Sequence, residues 1–226
     1  MIKEIITDEE ALGVRSDEID VRKENGLMRD IILCLKDTMR ELNLKGLSAP
    51  QVGFNKRIIV LNFNGDLRTF VNPIITDTEG FDIVIETCTS LNNKRFLRPR
   101  SSSVTITYQT PLGKIESRKL IGLAATVFQH HLDHLDGLLL SDIGVEIDEC
   151  FDNASEDEKA EFIKMYLDSL DIKEKEIKKE ISDDPELQKM MEAIDFIEKV
   201  QKGEVQVSDE KEARFVKKNE GDDNAD

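Results

Sequence analysis

Apolar residues recur every three or four positions through residues 25–43, NGLMRDIILCLKDTMRELN, where Leu27, Ile31, Leu35, Met39 and Leu42 share one helical face. Gly46 follows closely and marks a stop. From residue 57 the period shortens. RIIVLNF (57–63) reads as a strand, Asn64-Gly65 as a tight turn because both residues tolerate positive φ, and LRTFVNP as the return strand, ended by Pro73. FDIVIETCTSL (81–91), SVTITYQT (103–110) and GKIESRKLI (113–121) read as further strands, the last two joined through Pro111-Leu112-Gly113. A second helix is expected over residues 122–136, closed by Gly137.

Beyond residue 150 the pattern is helical again. Ser155 and Glu158 make a capping box ahead of AEFIKMYLDSL. Asp184-Pro185 starts another helix, with Asp as cap and Pro in the first turn. Its stripe is Leu187, Met190, Met191, Ile194, Phe196 and Ile197. Helices this short do not persist alone, so they pack on the core, on each other or on a partner. The polar end KKNEGDDNAD is expected to be disordered. Three regions are expected: a domain over 1–147, an acidic helical extension over 148–216 and a tail over 217–226.

Charge sharpens that division. The chain of 226 residues carries a net −16, and residues 151–226 hold 24 acidic against 13 basic side chains, a net of −11. So acidic a chain is a poor general partner for nucleic acid, whose phosphates need Lys and Arg. No apolar run approaches the roughly 20 residues of a membrane span. The N-terminus MIKEIITDEEALG lacks the basic-then-apolar pattern of a signal peptide. Three cysteines suit a reduced, cytoplasmic protein rather than a disulfide framework.

The candidate chemistry lies in VFQHHLDHLDG (127–137), which holds all three histidines of the chain. Leu123, Val127, His130 and His134 follow spacings of four, three and four, so two imidazoles share the stripe expected to face inward. A lone histidine there is usually a satisfied core residue; two partly buried imidazoles need something to bond, and a metal supplies it. A soft third ligand would be a cysteine. Cys88 ranks first, in a predicted strand among polar neighbours. Cys34 sits in an amphipathic helix and reads as core, and Cys150 lies in an acidic connector that disfavours a thiolate.

At these residues the chain resembles the peptide deformylases, over residues 1–145. Three motifs carry the likeness. A Gly-x-Gly-x-Ala-Ala-x-Gln-x-Gly run corresponds to LKGLSAPQVG (44–53), Glu-Gly-Cys-Leu-Ser to ETCTS (86–90), and Gln-His-Glu-x-x-His to QHHLDH (129–134). The resemblance implies an α+β fold with antiparallel sheets around a central metal-binding helix. It implies one divalent ion, Fe²⁺ first and Zn²⁺ or Ni²⁺ as substitutes, on Cys88, His130 and His134. Gln51 and the Thr89 N–H would stabilise the oxyanion of the attacked formyl group. Gly46 and Arg95 would hold the formyl-methionine end and the substrate backbone, and Glu86, Arg100 and Asp133 would support the site. The implied partner is a nascent formyl-methionyl polypeptide, with the ribosome or another protein engaged through the C-terminal helices.

The departures from the family pattern bear on activity. The family's Glu after the first His moves protons in both directions; here it is His131. Three outcomes are open: His131 serves as the base, binds the ion as a fourth ligand and closes the site, or turns away. Leu44, Ser48, Pro50, Thr87 and Thr89 also differ from the motif residues. Ser48 and Pro50 are expected to alter the strand edging the cleft, and Thr87 to narrow it. Two functions follow: a metal hydrolase removing the formyl group, or an inert descendant that keeps the ion and binds proteins.

Overall fold

A computed structural model describes residues 2–183. It has two compact units, one ending at Ser155 and one beginning at Glu156.

Two antiparallel sheets and a central helix build the first unit. The larger sheet contains β1 (Gly46–Ser48), β2 (Ile58–Phe63), β3 (Asp66–Glu79), β6 (Ser103–Gln109) and β7 (Ile115–Ile121), in the order β1-β2-β3-β6-β7. The smaller contains β4 (Asp82–Thr87), β5 (Arg95–Arg100) and β8 (Val145–Ile147), in the order β4-β5-β8. The long helices are α2 (Asn25–Glu41) and α3 (Leu123–Leu135); α1 (Glu9–Leu12), α4 (Leu140–Ile143) and α5 (Glu149–Asn153) are short. The expected α+β class holds.

On α2 the buried face is Met28, Ile31, Ile32, Leu35 and Met39, while Leu27 and Leu42 are exposed. The stripe thus begins one residue later than the pattern suggested. These side chains pack on Leu47, Val52, Ile58 and Val60 from β1, β2 and the turn between them. Each such burial stabilises the fold by about 1.5–3 kcal/mol. The other side of the large sheet packs Phe70, Val104, Ile106 and Tyr108 against Ala125, Phe128 and Leu135 of α3.

The Asn64-Gly65 hairpin forms as expected, with φ of 52° and 96°. Pro73 does not end the return strand. β3 continues to Glu79, and its register against β6 shifts between Val71 and Ile74 and again between Ile75 and Asp77. Proline has no N–H to give the ladder, so a bulge absorbs it. Asn72 adopts φ 47° there, and its side chain bonds both the N–H and the carbonyl of Ile19 at 3.0 and 2.9 Å. Three strands escaped pattern reading altogether: β1 and β8 span only three residues each, and β5, RFLRPR, is charged and contains a proline.

The second unit contains α6 (Glu156–Asp183), which starts directly after Ser155, where the capping pattern places the start. It is one helix of 28 residues rather than a short one. The predicted helix at Asp184-Pro185 and the tail over 217–226 lie outside the described residues. Among the described residues no helix is long and apolar enough to cross a membrane.

Candidate metal centre

α3 sets two of the three key side chains. His130 and His134, one turn apart, are both buried, as is His131 between them. The rest of the predicted inward stripe behaves differently: Leu123 is 61% exposed and Val127 is only half-buried, because the N-terminal half of that face lines a cleft instead of the core. Gly137, at φ 72°, closes the helix, and a Cβ there would stand 2.5 Å from the Gly13 carbonyl oxygen.

Cys88 arrives from the other sheet. It does not lie within a strand as expected; β4 ends at Thr87, and Cys88 caps a single 3-10 turn over Thr89–Leu91. That turn leaves its Sγ buried and 3.2 Å from His134 Nε2. One ligand atom each from Cys88, His130 and His134 lies within 4.8 Å of the others. A tetrahedral ion with metal–sulfur and metal–nitrogen bonds of about 2.3 and 2.0–2.1 Å wants donors about 3.4 Å apart. The donor set and its spacing fit such an ion.

A buried ionic network orients the first histidine. His130 Nδ1 lies 2.8 Å from Glu86 Oε2, which aims the other side of the ring at Cys88. Arg100 donates to both oxygens of Glu86, at 2.5 and 3.1 Å, and to Asp133 at 2.6 Å. A carboxylate behind a ligand imidazole fixes its tautomer and raises its basicity. From protein groups alone, burial opposes charge on Glu86, yet hydrogen bonds from His130 and Arg100 overcome it and hold the carboxyl at about 2. Burial likewise opposes charge on His130, but Cys88 and Glu86 lift it to about 9. His134 goes the other way: burial and the neighbouring charges of His130 and Arg100 lower it to about 3.

Gln51 is locked from both ends. Its Oε1 accepts from the Ser48 N–H and hydroxyl at 3.1 and 3.0 Å, and its Nε2 donates to Ser90 Oγ at 3.2 Å and faces Cys88 Sγ at 3.9 Å. Since the Ser48 N–H can only donate, the amide group must point toward Cys88. Ser48 and Ser90 were not assigned this role from sequence, although Ser48-x-x-Gln51 is itself a capping-box pattern. Ala49–Val52, with Pro50 near its start, is a 3-10 turn; Pro50 therefore does not sit in the cleft strand.

These groups open on a cavity of about 360 Å³. Gly46 on the edge strand β1 and Thr87 on the edge strand β4 flank it, and Gln51, Thr89, His130 and His131 line it. His131 does not join the ligand cluster. Its ring edge lies against Gly46 so closely that a Cβ on that glycine would be 2.4 Å from Nε2. Its Nδ1 is buried with no hydrogen-bond partner among the described residues. Burial, then the nearby His130 and His134, push its pKa well below the usual value against a weaker pull from the Gly46 backbone, so the ring is neutral. Arg95 is not brought into the cavity. It stands opposite Thr87 in the β4–β5 register and makes a two-pronged ion pair with Asp152 of α5. Cys34 is buried in the α2 core, as expected; Cys150 is exposed and lies in α5 rather than in a connector.

Comparison with known proteins decides the family. The polypeptide deformylase family model matches residues 2–148. The chain belongs to the polypeptide deformylase family. The peptide deformylase of Dictyoglomus turgidum is 36% identical over 130 residues, covering 58% of this chain and 82% of that protein. That of Halothermothrix orenii is 40% identical over 115 residues, 50% and 75% of the two chains. Among solved structures, the peptide deformylase of Thermotoga maritima aligns at TM-score 0.59 and 28% identity over 63% of this chain and 97% of its own. A probable peptide deformylase from Synechococcus phage S-SSM7 aligns at TM-score 0.54 and 34% identity over 62% and 98%. Deformylases are metal-dependent, and the Cys88–His130–His134 cluster suits that requirement.

Proposed function

We propose that this deformylase-family chain is a cytoplasmic metal hydrolase that removes the formyl group from the N-terminal formyl-methionine of nascent polypeptides, releasing formate. The observation that carries this reading is the meeting of a complete soft donor set with a pre-oriented amide donor in a cavity between two edge strands. Cys88, His130 and His134 would hold one divalent ion, Fe²⁺ first as the family resemblance implies, with Zn²⁺ or Ni²⁺ suited to the same donors. Such an ion would supply Lewis acidity and would make a water more acidic.

The chain's own residues do the rest. The free edges of β1 and β4 accept an extended peptide by main-chain pairing, with Gly46 on one side and Thr87 on the other. Gln51 Nε2 and the Thr89 N–H face the carbonyl oxygen as negative charge develops, and Ser48 and Ser90 spare the amide any reorganisation. Arg95 serves the outer part of the peptide by exchanging Asp152 for it. His131 takes the proton-moving place as a neutral imidazole. The ribosome, or another protein reached through the acidic helices, is the setting in which nascent chains arrive.

One observation favours a second reading. The His131 ring is packed on Gly46 and strongly disfavours a proton, which suits an inert protein that keeps its ion and acts as a binding component. Formate release from a formyl-Met tripeptide separates the two, using protein loaded with Fe²⁺ or Ni²⁺ under reducing conditions. Wild-type turnover is expected, with His131→Glu faster by about 10²-fold or more. Silence of both proteins at full metal occupancy would establish the inert reading.

A further inference from the structure

A second cavity of about 360 Å³ adjoins the first. Leu61, Phe63, Ala124 and the shared Leu123 and Val127 make it largely apolar. Lys45 belongs to the walls of both cavities and immediately precedes the edge strand β1. It is exposed, and among the described residues no carboxylate pairs with it. Lys3 and Lys36 likewise have no carboxylate partner among the described residues, whereas Lys23, Lys56, Lys94, Lys114, Lys119 and Lys159 have one. What sets Lys45 apart is its place, on the walls of both cavities. The other charged side chain lining the first cavity, Glu86, is consumed by Arg100 and His130.

We propose that Lys45 is a specificity-determining residue that selects peptides carrying an acidic side chain within the first two positions after the formyl-methionine, the apolar cavity beside it taking the stem of that chain or its neighbour. This rests on the hydrolase reading for its substrate class. A peptide laid along β1 sends alternate side chains to opposite sides, so one of the two positions faces Lys45. An ammonium group with no internal carboxylate partner has no ion pair to break on accepting a carboxylate, and gives up only hydration and side-chain freedom. Being exposed, the pair contributes modestly, so the preference for Asp over Asn is about two- to fivefold. It shrinks as salt screens it.

The test uses formyl-Met tripeptides with Asp, Asn or Lys at each of the two following positions. They are assayed with the metal-loaded wild type and Lys45→Glu at low and high salt. The wild type should rank Asp above Asn above Lys, mainly through KM, and Lys45→Glu should reverse the order. Identical rankings in the two proteins would overturn the inference while leaving the hydrolase reading intact. Fluorescence anisotropy with labelled peptides of the same series provides a readout independent of turnover. The predicted ranking in binding without hydrolysis would sustain the inference and remove the hydrolase; equal binding of all peptides, or none, would overturn it.

Discussion

At the floor of the cavity His130 is held from behind by Glu86, which is itself held by Arg100, and the ring faces Cys88. One residue later, at the wall, His131 has a buried nitrogen with no partner and a ring edge pressed on a glycine backbone. The two imidazoles are neighbours on one helix, yet only the first is embedded in a charge network. The difference teaches where this chain has departed from its family. The first histidine of the proposed ligand set is backed by mutually bonded charged groups, Glu86, Arg100 and Asp133. The wall side chain, though buried, makes its close contact with the backbone of Gly46 rather than with a charged group.

The comparison breaks most severely at Arg100. Replacing it by Ala leaves Glu86 and Asp133 without their shared cation, and losing one partner of a buried pair costs about 3–5 kcal/mol. Urea unfolding of the metal-free variant measures this, and a competition titration should show metal affinity lower by about 10–100-fold. A stability loss under about 1 kcal/mol would mean that the floor is not held as described.

Gly46→Ala probes the wall. The new Cβ meets His131 Nε2 and Cδ2 at 2.4 and 2.5 Å, so the ring must move, at about 1–3 kcal/mol. In a His131→Ala background the same change should cost less, and a double-mutant cycle should give a coupling above about 0.5 kcal/mol. An additive cycle would show that the ring and the glycine are independent.

The smallest effect is expected at Ser48→Ala. Gln51 Oε1 keeps the Ser48 N–H but loses the hydroxyl, a net of about 0.5–1.5 kcal/mol in denaturant unfolding. A loss matching that of Arg100→Ala would erase the distinction between a charge network and a simple hydrogen-bonded lock.

Much of this is legible in the sequence. The α2 and α3 helices, the Asn64-Gly65 hairpin and the helix start after Ser155 follow from local signals, since periodicity, turn residues and caps act within a few positions. The errors share one cause: the deciding partner lies far along the chain. Pro73 reads as a stop until β6 supplies a ladder that a bulge can rejoin. β5 shows no strand pattern because RFLRPR is charged and holds a proline; its pairing depends on β4 and β8, and Arg100 within it is buried on Glu86 and Asp133. Leu123 reads as core because a helical stripe does not reveal that part of it borders a cleft.

The sequence by itself determined that two histidines would share a face of a helix, that a Cys-bearing motif and a Gln-bearing motif accompanied them, and that the acidic charge gathers at the C-terminal end. These are consequences of spacing and composition. Tertiary structure decided that Cys88 meets His134 across 46 residues, that Glu86 backs His130 across 44, and that His131 packs on Gly46 rather than entering the ligand cluster. Helical geometry aims a side chain to within one face, whereas the atom it touches depends on how separate strands and turns pair. That pairing brings Cys88 to the ligand site and Gly46 to the ring of the residue standing where its family has glutamate.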